Sequence, residues 1–127
     1  MRYKIVAIVG KSGAGKDALM HTILKHQPNY HEIISCTTRP WRAGEVDGVN
    51  YHFLEVEDFC LKISNNEMLE YTTFNNWGYG TALDALAEDK INIGVFNPEG
   101  IRSLKAISNI DLILISVLCD DKIRLLR

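Results

Sequence analysis

The chain has 127 residues, of which 46% are hydrophobic and 24% are charged. This length is typical of one domain, and the composition is that of a globular protein rather than of collagen, a coiled coil or a disordered chain. The formal net charge of −2 lacks the basic excess of a general nucleic-acid binder. No apolar run approaches the roughly 20 residues that span a bilayer, so we expect neither a nucleic-acid nor a membrane partner.

Cysteine usage indicates a reducing compartment. Cys36, Cys60 and Cys119 are far apart and form no C-x-x-C pair, and the four histidines form no metal motif. We therefore expect three reduced, mostly buried thiols in a cytoplasmic protein. The sequence leaves the oligomeric state open.

The first predicted elements are a strand and a helix joined by a glycine-rich turn. Residues 3–9 form a β-rich apolar run, which is typical of a buried parallel strand. Apolar residues recur at helical spacing from Lys16 to His26, and Pro28 marks the end of that helix.

A β-rich stretch comes next. Strands are predicted over 32–36, 51–54 and 68–74, and a short helix is predicted over 56–63. The polar segment 37–50 is predicted to be a long loop, and such loops in compact domains are often functional.

The rest of the chain returns to alternating elements. They are a helix over 81–89, a strand over 91–96, a helix over 99–107, a strand over 112–117 and the beginning of a helix over 119–127. Thr81 is the predicted N-cap of the first of these helices. Strands alternating with helices predict an α/β fold with a parallel sheet and helices on both of its faces. The predicted division is a core of residues 1–31 and 82–118 and a β-rich insert of residues 32–81.

The glycine-rich turn matches the Walker A pattern G-x-x-x-x-G-K. Its residues are Gly10, Lys11, Ser12, Gly13, Ala14, Gly15, Lys16 and Asp17. Glycines let backbone N–H groups curl around a polyphosphate, and the helix that follows points its N-terminus at the phosphates. A buried strand before the turn and an amphipathic helix after it are the context that this motif requires. The pattern predicts a nucleotide-phosphate site in which Lys16 reaches the β- and γ-phosphates.

Asp17 departs from the pattern, which has Ser or Thr at this position to hold Mg²⁺. A carboxylate can bind the same hard cation through oxygen. Two interpretations remain: Asp17 holds Mg²⁺ directly or through water, or the site is weakened. We favour the first.

The loop segment carries a second pattern, T-T-R-x-x-R-x-G-E-x-x-G-x-x-Y-x-F, which this chain meets at every fixed position from Thr37 to Phe53. With this pattern and the phosphate loop, the chain resembles guanylate kinases. The segments 66–70 and 79–81 fit the next two blocks of that family. The resemblance implies a P-loop NTPase-type sheet, a nucleoside monophosphate-binding insert and, at 119–127, the start of a lid.

The residues of the insert make chemical sense as an acceptor site. Arg39 and Arg42 are three positions apart, and their guanidinium forks can grip one phosphate dianion. Tyr51 and Tyr79 can add hydroxyl donors. In the resembling family, residues at these four positions hold the GMP phosphate, and Glu45 helps to order the arginines.

Four further residues point to the base. Glu70 can accept hydrogen bonds from the N–H edge of guanine, which adenine does not offer. Ser35 and Thr81 can donate to the guanine carbonyl oxygen. Asn97 stands where the family has an acidic residue that contacts the nucleoside or the metal region; an amide can still hydrogen-bond a base, so base selectivity is open to change.

The resemblance implies ATP-dependent phosphoryl transfer to GMP or dGMP with Mg²⁺, and Lys16, Arg39 and Arg42 as the catalytic residues. The alternatives are a kinase of another nucleoside monophosphate and a non-catalytic module of the same fold that binds phosphorylated peptide. Family members continue past this point with an arginine-bearing lid and a closing helical segment. We therefore expect the chain to be either a fragment that stops where the lid begins or a minimal form that needs a partner or tolerates slow chemistry. We favour the fragment.

Overall fold

The computed structural model of the chain describes residues 2–10 and 15–117. The helices within these ranges are α1 (Lys16–His26), α2 (Val56–Ser64), α3 (Pro98–Lys105) and a short 3-10 helix (Leu83–Ala85). The strands are β1 (Tyr3–Gly10), β2 (Tyr30–Glu32), β3 (Cys36–Thr37), β4 (His52–Phe53), β5 (Met68–Phe74), β6 (Trp77–Ala82), β7 (Ile91–Val95) and β8 (Ile110–Val117). None of the helices in the described ranges has the length and apolar character that a membrane crossing requires.

The core is a parallel sheet in the order β2-β7-β1-β8. Side chains along β1 alternate between its two faces, so Ile5 packs with Leu104 of α3 while Ile8 packs with Met20 of α1. An apolar strand with both faces covered is typical of parallel sheets. The predicted α/β sheet flanked by helices is confirmed.

The strand β8 lies at the edge of this sheet, next to β1. Its sequence is as apolar as that of β1, yet Ile113 is 60% exposed and Leu114 is 42% exposed. The two side chains lie on opposite faces because neighbouring strand residues alternate. Within the described residues, the cover that α1 and α3 give to β1 does not extend fully over β8.

A second sheet, in the order β4-β3-β6-β5, is formed by residues of the β-rich stretch. β5 and β6 are antiparallel, and Phe74 pairs with Trp77 across a two-residue turn. Asn75 and Asn76 form that turn with φ of 54° and 68°, as a type I′ hairpin requires at both positions. Glu70 and Thr81 are thereby placed opposite each other.

The predicted helix over 81–89 is wrong. β6 continues to Ala82, and only the 3-10 helix Leu83–Ala85 follows. Thr81 is therefore a strand residue and not an N-cap. The fully buried Asn92 accepts from the N–H of Ala87 over 2.7 Å and donates to the carbonyl oxygen of the same residue over 3.0 Å. These bonds take backbone groups that a helix would use, so tertiary contacts override a segment of good helix formers.

The structure also bears on the predicted strand over 32–36 and on the cysteines. The strand predicted over 32–36 is two strands, since β2 ends at Glu32 in the core sheet and β3 begins at Cys36 in the second sheet. Cys36 is buried, and burial raises the pKa of its thiol to about 11. Cys60 is exposed, so one of the two described thiols is buried and the other is not. Cys119 and the predicted helix and lid start at 119–127 lie outside the described residues.

Candidate functional site

The segment before α1 and the first turn of that helix carry the predicted donor-side residues. Gly15 is the N-cap of α1, with a φ of 86° that favours glycine. Lys16 is the first residue of α1, and its Nζ donates to the carbonyl oxygen of Gly10 over 2.7 Å. Asp17 follows in the first turn and is exposed. The other predicted phosphate-loop residues lie outside the described ranges; they are Lys11, Ser12, Gly13 and Ala14.

The loop of residues 37–50 is organised around one ion pair. Arg39 is only 5% exposed, and its Nη1 and Nη2 donate to the two carboxylate oxygens of Glu45 over 3.0 and 2.7 Å. Nη1 also donates to the carbonyl oxygen of Pro40 over 3.2 Å. The side-chain hydrogen bonds from Arg39 lower the pKa of the Glu45 carboxyl, and those to Glu45 raise the pKa of Arg39. Both groups are therefore charged at neutral pH.

Glu45 also accepts two further hydrogen bonds that hold the loop together. Its Oε1 accepts from the backbone N–H of Arg42 over 2.9 Å, and its carbonyl oxygen accepts from the indole N–H of Trp41 over 2.6 Å. Gly44, with φ at 86°, supplies the left-handed turn between them. Arg42 is exposed, so the loop fixes its backbone and presents its side chain to solvent.

Arg39 keeps donors for a ligand despite this pairing. A guanidinium has five N–H groups, and three of them are directed at Glu45 and Pro40. The other two, on Nε and Nη2, are not engaged by any hydrogen bond within the described part of the chain. They point in the same direction and form a second fork of the kind that matches two phosphate oxygens.

Aromatic rings surround the Arg39 guanidinium. Its Cζ lies 5.2 Å from the ring centroid of Tyr51 and 5.8 Å from that of Phe53, within the range of cation–π attraction. The rings of Tyr51 and Tyr79 meet edge to face, with centroids 6.1 Å apart. The structure thus brings Arg39, Glu45, Tyr51 and Tyr79 into one cluster, which we call the phosphate cluster.

The sequence analysis gave no role to the stack behind this cluster. Trp41 and Phe53 stack face to face, with centroids 5.5 Å apart and planes at 4°. Phe53 also meets the edge of Tyr51 at 5.8 Å. The available signal was the pair of aromatic residues at positions 51 and 53, of which Phe53 pairs with Thr37 of β3.

Glu70 and Thr81 form a second group on β5 and β6. The Thr81 hydroxyl donates to Oε2 of Glu70 over 2.8 Å. Burial raises the pKa of the Glu70 carboxyl, and the hydrogen bonds from Thr81 oppose that shift. A carboxylate has about four lone-pair sites, so this partner leaves Glu70 with acceptor capacity for the N–H groups of a ligand.

Asn97 has a local structural role that the sequence analysis did not foresee. It is the N-cap of α3, and its Oδ1 accepts from the backbone N–H of Gly100 over 2.7 Å. Pro98 follows as the first helical residue, where its missing N–H costs nothing. The position of Asn97 beside Gly100, which also faces Glu70, places it close to the Glu70–Thr81 pair.

A cavity of about 300 Å³ joins α1 to the insert. Its lining includes Asp17 of α1 and, from the insert, Ser35 and Tyr51. Glu32 lines the same cavity and was not identified from the sequence. Its place at the carboxyl end of a parallel strand, where ligands of open α/β sheets bind, was the signal that could have found it.

The residues present fit a magnesium ion held together with phosphates. No group of three or more His, Cys, Asp and Glu side chains that could hold a metal ion occurs among the described residues. Mg²⁺ bound with substrate phosphates needs only one or two carboxylates and keeps several waters. The exposed carboxylate of Asp17 in the first turn of α1 meets that requirement.

Comparison with known proteins identifies relatives over most of the described chain. A family model described as guanylate kinase matches residues 2–117. A guanylate kinase of Helicobacter hepaticus is 41% identical over 105 residues, which are 80% of this chain and 52% of that protein. One of Chlorobium luteolum is 42% identical over 85 residues, which are 67% of this chain and 43% of that protein.

A solved structure supports the fold. The crystal structure of guanylate kinase from Anaplasma phagocytophilum aligns with a TM-score of 0.66 at 22% identity, over 91% of this chain and 60% of that chain. The chain spans about half the length of the curated relatives that it matches.

Proposed function

The chain belongs to the guanylate kinase family, and we propose that it acts in ATP-dependent phosphoryl transfer to GMP or dGMP, giving GDP or dGDP. The observation that carries this proposal is the second fork of Arg39. Glu45 holds the guanidinium in place through one pair of N–H groups. The other pair has no hydrogen-bond partner among the described residues, and a pair of this kind can bind two phosphate oxygens.

The phosphate cluster is the proposed acceptor-phosphate site. Arg39 gives a fixed, buried fork, and Arg42 gives a second guanidinium on a loop whose backbone is already held. Hydroxyl groups of Tyr51 and Tyr79 complete the donors. Two cations facing one dianion provide charge neutralisation as well as orientation, which is most of what phosphoryl transfer asks of a protein.

The Glu70–Thr81 pair is the proposed guanine site. Guanine presents N–H groups at N1 and N2, which a carboxylate such as that of Glu70 can accept. Adenine has no hydrogen at N1, so it would leave the half-buried Glu70 facing a lone pair. Ser35 and Thr81 are proposed donors to the guanine carbonyl oxygen, and Asn97 is proposed to contact the nucleoside from the start of α3.

The turn before α1 is the proposed ATP-phosphate site. The proposed residues are Gly10, Lys11, Ser12, Gly13, Ala14, Gly15, Lys16 and Asp17. Lys16 has to leave the carbonyl oxygen of Gly10 to reach the β- and γ-phosphates. Mg²⁺ held by Asp17 and the donor phosphates would neutralise charge on those phosphates.

The proposed step is an in-line displacement at the γ-phosphorus of ATP. An oxygen of the acceptor phosphate forms the new bond to phosphorus, the bond to the β,γ-bridging oxygen breaks, and ADP leaves. We propose that the core (1–31 and 82–118) holds the donor, that the insert (32–81) holds the acceptor, that the lid begins at 119–127, and that the reaction takes place in the cytoplasm.

An assay of coupled ADP release over GMP, dGMP, AMP, dTMP and UMP tests this proposal. We expect turnover, or competitive occupancy of the acceptor site, with the two guanine nucleotides only. Turnover with AMP or a pyrimidine nucleotide at an equal rate would overturn the base assignment. No turnover with any of the five, together with tight binding of a phosphopeptide, would overturn the kinase proposal itself.

A further inference from the structure

Gly100 is a glycine inside a helix whose backbone does not need one. It is the third residue of α3, and its φ is outside the left-handed region that favours glycine. A glycine within a helix is less favourable than alanine by roughly 1 kcal/mol. A residue that lowers helix stability without a conformational reason points to a requirement for space.

The space is occupied by the Glu70 carboxylate. A Cβ built on Gly100 would lie 2.8 Å from Oε1 of Glu70 and 3.1 Å from Oδ1 of Asn97. The first of these distances is shorter than carbon–oxygen contacts in proteins allow, so one of the two groups would have to move. The absent side chain of Gly100 is therefore what lets the carboxylate of Glu70 sit against the first turn of α3.

The two carboxylate oxygens of Glu70 are fixed in different ways. Oε2 accepts from the Thr81 hydroxyl over 2.8 Å. Oε1 rests on the surface left by Gly100. The backbone N–H of Gly100 donates to Oδ1 of Asn97 over 2.7 Å and therefore does not hold the Glu70 carboxylate. The contact between Gly100 and Glu70 is thus a matter of shape, with Thr81 on one side of the carboxylate and a glycine on the other.

We propose that Gly100 is a positioning residue that sets the orientation of the Glu70 carboxylate and, through it, the preference of the site for guanine over adenine. This inference rests on the proposed function for its link to guanine. The steric coupling between Gly100 and Glu70 does not depend on that function, so the two can fail separately.

Gly100→Ala is the direct test, with Ser103→Ala on the exposed side of the same helix as its control. Loss of an oriented hydrogen bond to a charged group corresponds to roughly a 10- to 100-fold loss of affinity. We expect Gly100→Ala to weaken GMP binding by about 10-fold or more and to reduce the ratio of GMP to AMP affinity. We expect ATP affinity to be unchanged. A general loss of structure would instead lower the affinities for both GMP and ATP, so the ATP titration distinguishes the two explanations.

Glu70→Asp supplies the conservative rescue. Its side chain is one methylene shorter and withdraws from the methyl group that Gly100→Ala introduces. We expect the double variant to bind GMP more tightly than the product of the two single effects. Simple additivity of the two effects would overturn the proposal.

A thermal-unfolding cycle in the 127-residue chain keeps the proposal testable if the wild-type chain does not bind GMP. In the wild-type background we expect Gly100→Ala to lower Tm, since the carboxylate is displaced. In a Glu70→Ala background we expect the same change to raise Tm, because alanine is the better helix former once the clash is gone. The effect on the Asn97 cap is common to both backgrounds and cancels. The same sign in both backgrounds would contradict the proposed coupling.

Discussion

The proposed acceptor side and the proposed donor side of the site are built in different ways. On the acceptor side, Arg39 is buried, paired with Glu45 and covered by the ring of Tyr51. On the donor side, Lys16 makes its hydrogen bond to a backbone carbonyl oxygen and Asp17 is exposed. An arginine or lysine side chain carries about 2 kcal/mol of rotamer entropy, and for Arg39 that entropy is lost on folding rather than on binding. We infer that the acceptor phosphate meets a prearranged site, whereas the donor side is arranged by its ligand.

The largest expected effect separates the two sides at Lys16. Lys16→Ala removes the cation proposed for the ATP phosphates, and removal of one group of this kind costs roughly 10²- to 10³-fold in rate. We expect turnover to fall by that factor while GMP affinity and Tm stay unchanged. Lys25→Ala, near the other end of α1, is the matched control. A parallel fall in GMP affinity would show that the two sides are not separate.

Arg39→Ala is expected to act on both binding and stability, since it opens the phosphate cluster and leaves Glu45 without its partner. We expect GMP affinity to fall by roughly 10- to 100-fold, the range for a lost charged hydrogen-bonding group, and Tm to fall as well. Titration with guanosine, which has no phosphate, is the internal control and should show little change. Arg102→Ala, an exposed arginine on α3, controls for charge. An equal loss of guanosine affinity would contradict the assignment of Arg39 to the phosphate.

Asp17→Ser tests the donor side at its departure from the usual motif. If Asp17 holds Mg²⁺, the single substitution Asp17→Ser, with Asn97 left as it is, should lower Mg²⁺-dependent turnover. We expect a fall of about 10-fold at limiting Mg²⁺. The dependence of the rate on Mg²⁺ concentration is the measurement. Turnover that is unchanged or higher would favour the interpretation that Asp17 weakens the site.

The smallest expected effects are on the pH dependence of stability, where Glu45 and Glu70 should have opposite signs. The pKa of Glu45 is lowered from 4.5 by its bonds to Arg39, so its contribution is present above pH 4.5 and is lost as pH falls through the folded-state value. Arg39 is buried and Glu45 is partly exposed, and we expect the change to be a few degrees of Tm. We expect the Tm difference between wild type and Glu45→Gln to shrink in acid.

Glu70 should behave in the opposite way because burial raises its pKa above 4.5. The folded state then holds the proton more tightly than the unfolded state, so ionisation of Glu70 lowers stability as pH rises through the folded-state value. The Tm of Glu70→Gln minus the Tm of wild type should therefore increase from acid to neutral pH. A Tm difference that runs in the same direction for Glu45→Gln and Glu70→Gln would contradict the two environments described above.

Local patterns were sufficient for the elements that form from neighbours in sequence. The strand β1 and the helix α1 follow from apolar periodicity, and the N-cap Gly15 lies in the left-handed region. The strand predicted over 68–74 is confirmed as β5, whereas the hairpin turn at Asn75 and Asn76 and the strand β6 after it were not predicted. In both cases the residues that decide the structure are within a few positions of each other, so the sequence displays the cause.

Long-range contacts decided the parts that could not be predicted. The helix expected over 81–89 does not form because Asn92 takes the backbone of Ala87, a contact that propensity does not show. The family resemblance implied that Arg39 and Glu45 belong to one site, but not that Glu45 would engage one fork of Arg39 while the other has no partner among the described residues. The need for a glycine at position 100 is visible only after Glu70 is in place.

Calorimetric titration of the chain with GMP in the absence of ATP tests the central claim most directly. If the acceptor side is prearranged and reads guanine, GMP should bind without the donor nucleotide, and AMP and guanosine should each bind at least about 10-fold more weakly. Lys16→Ala should leave the GMP isotherm unchanged. Equal affinities for GMP and AMP, or GMP binding that requires a donor nucleotide, would contradict the account.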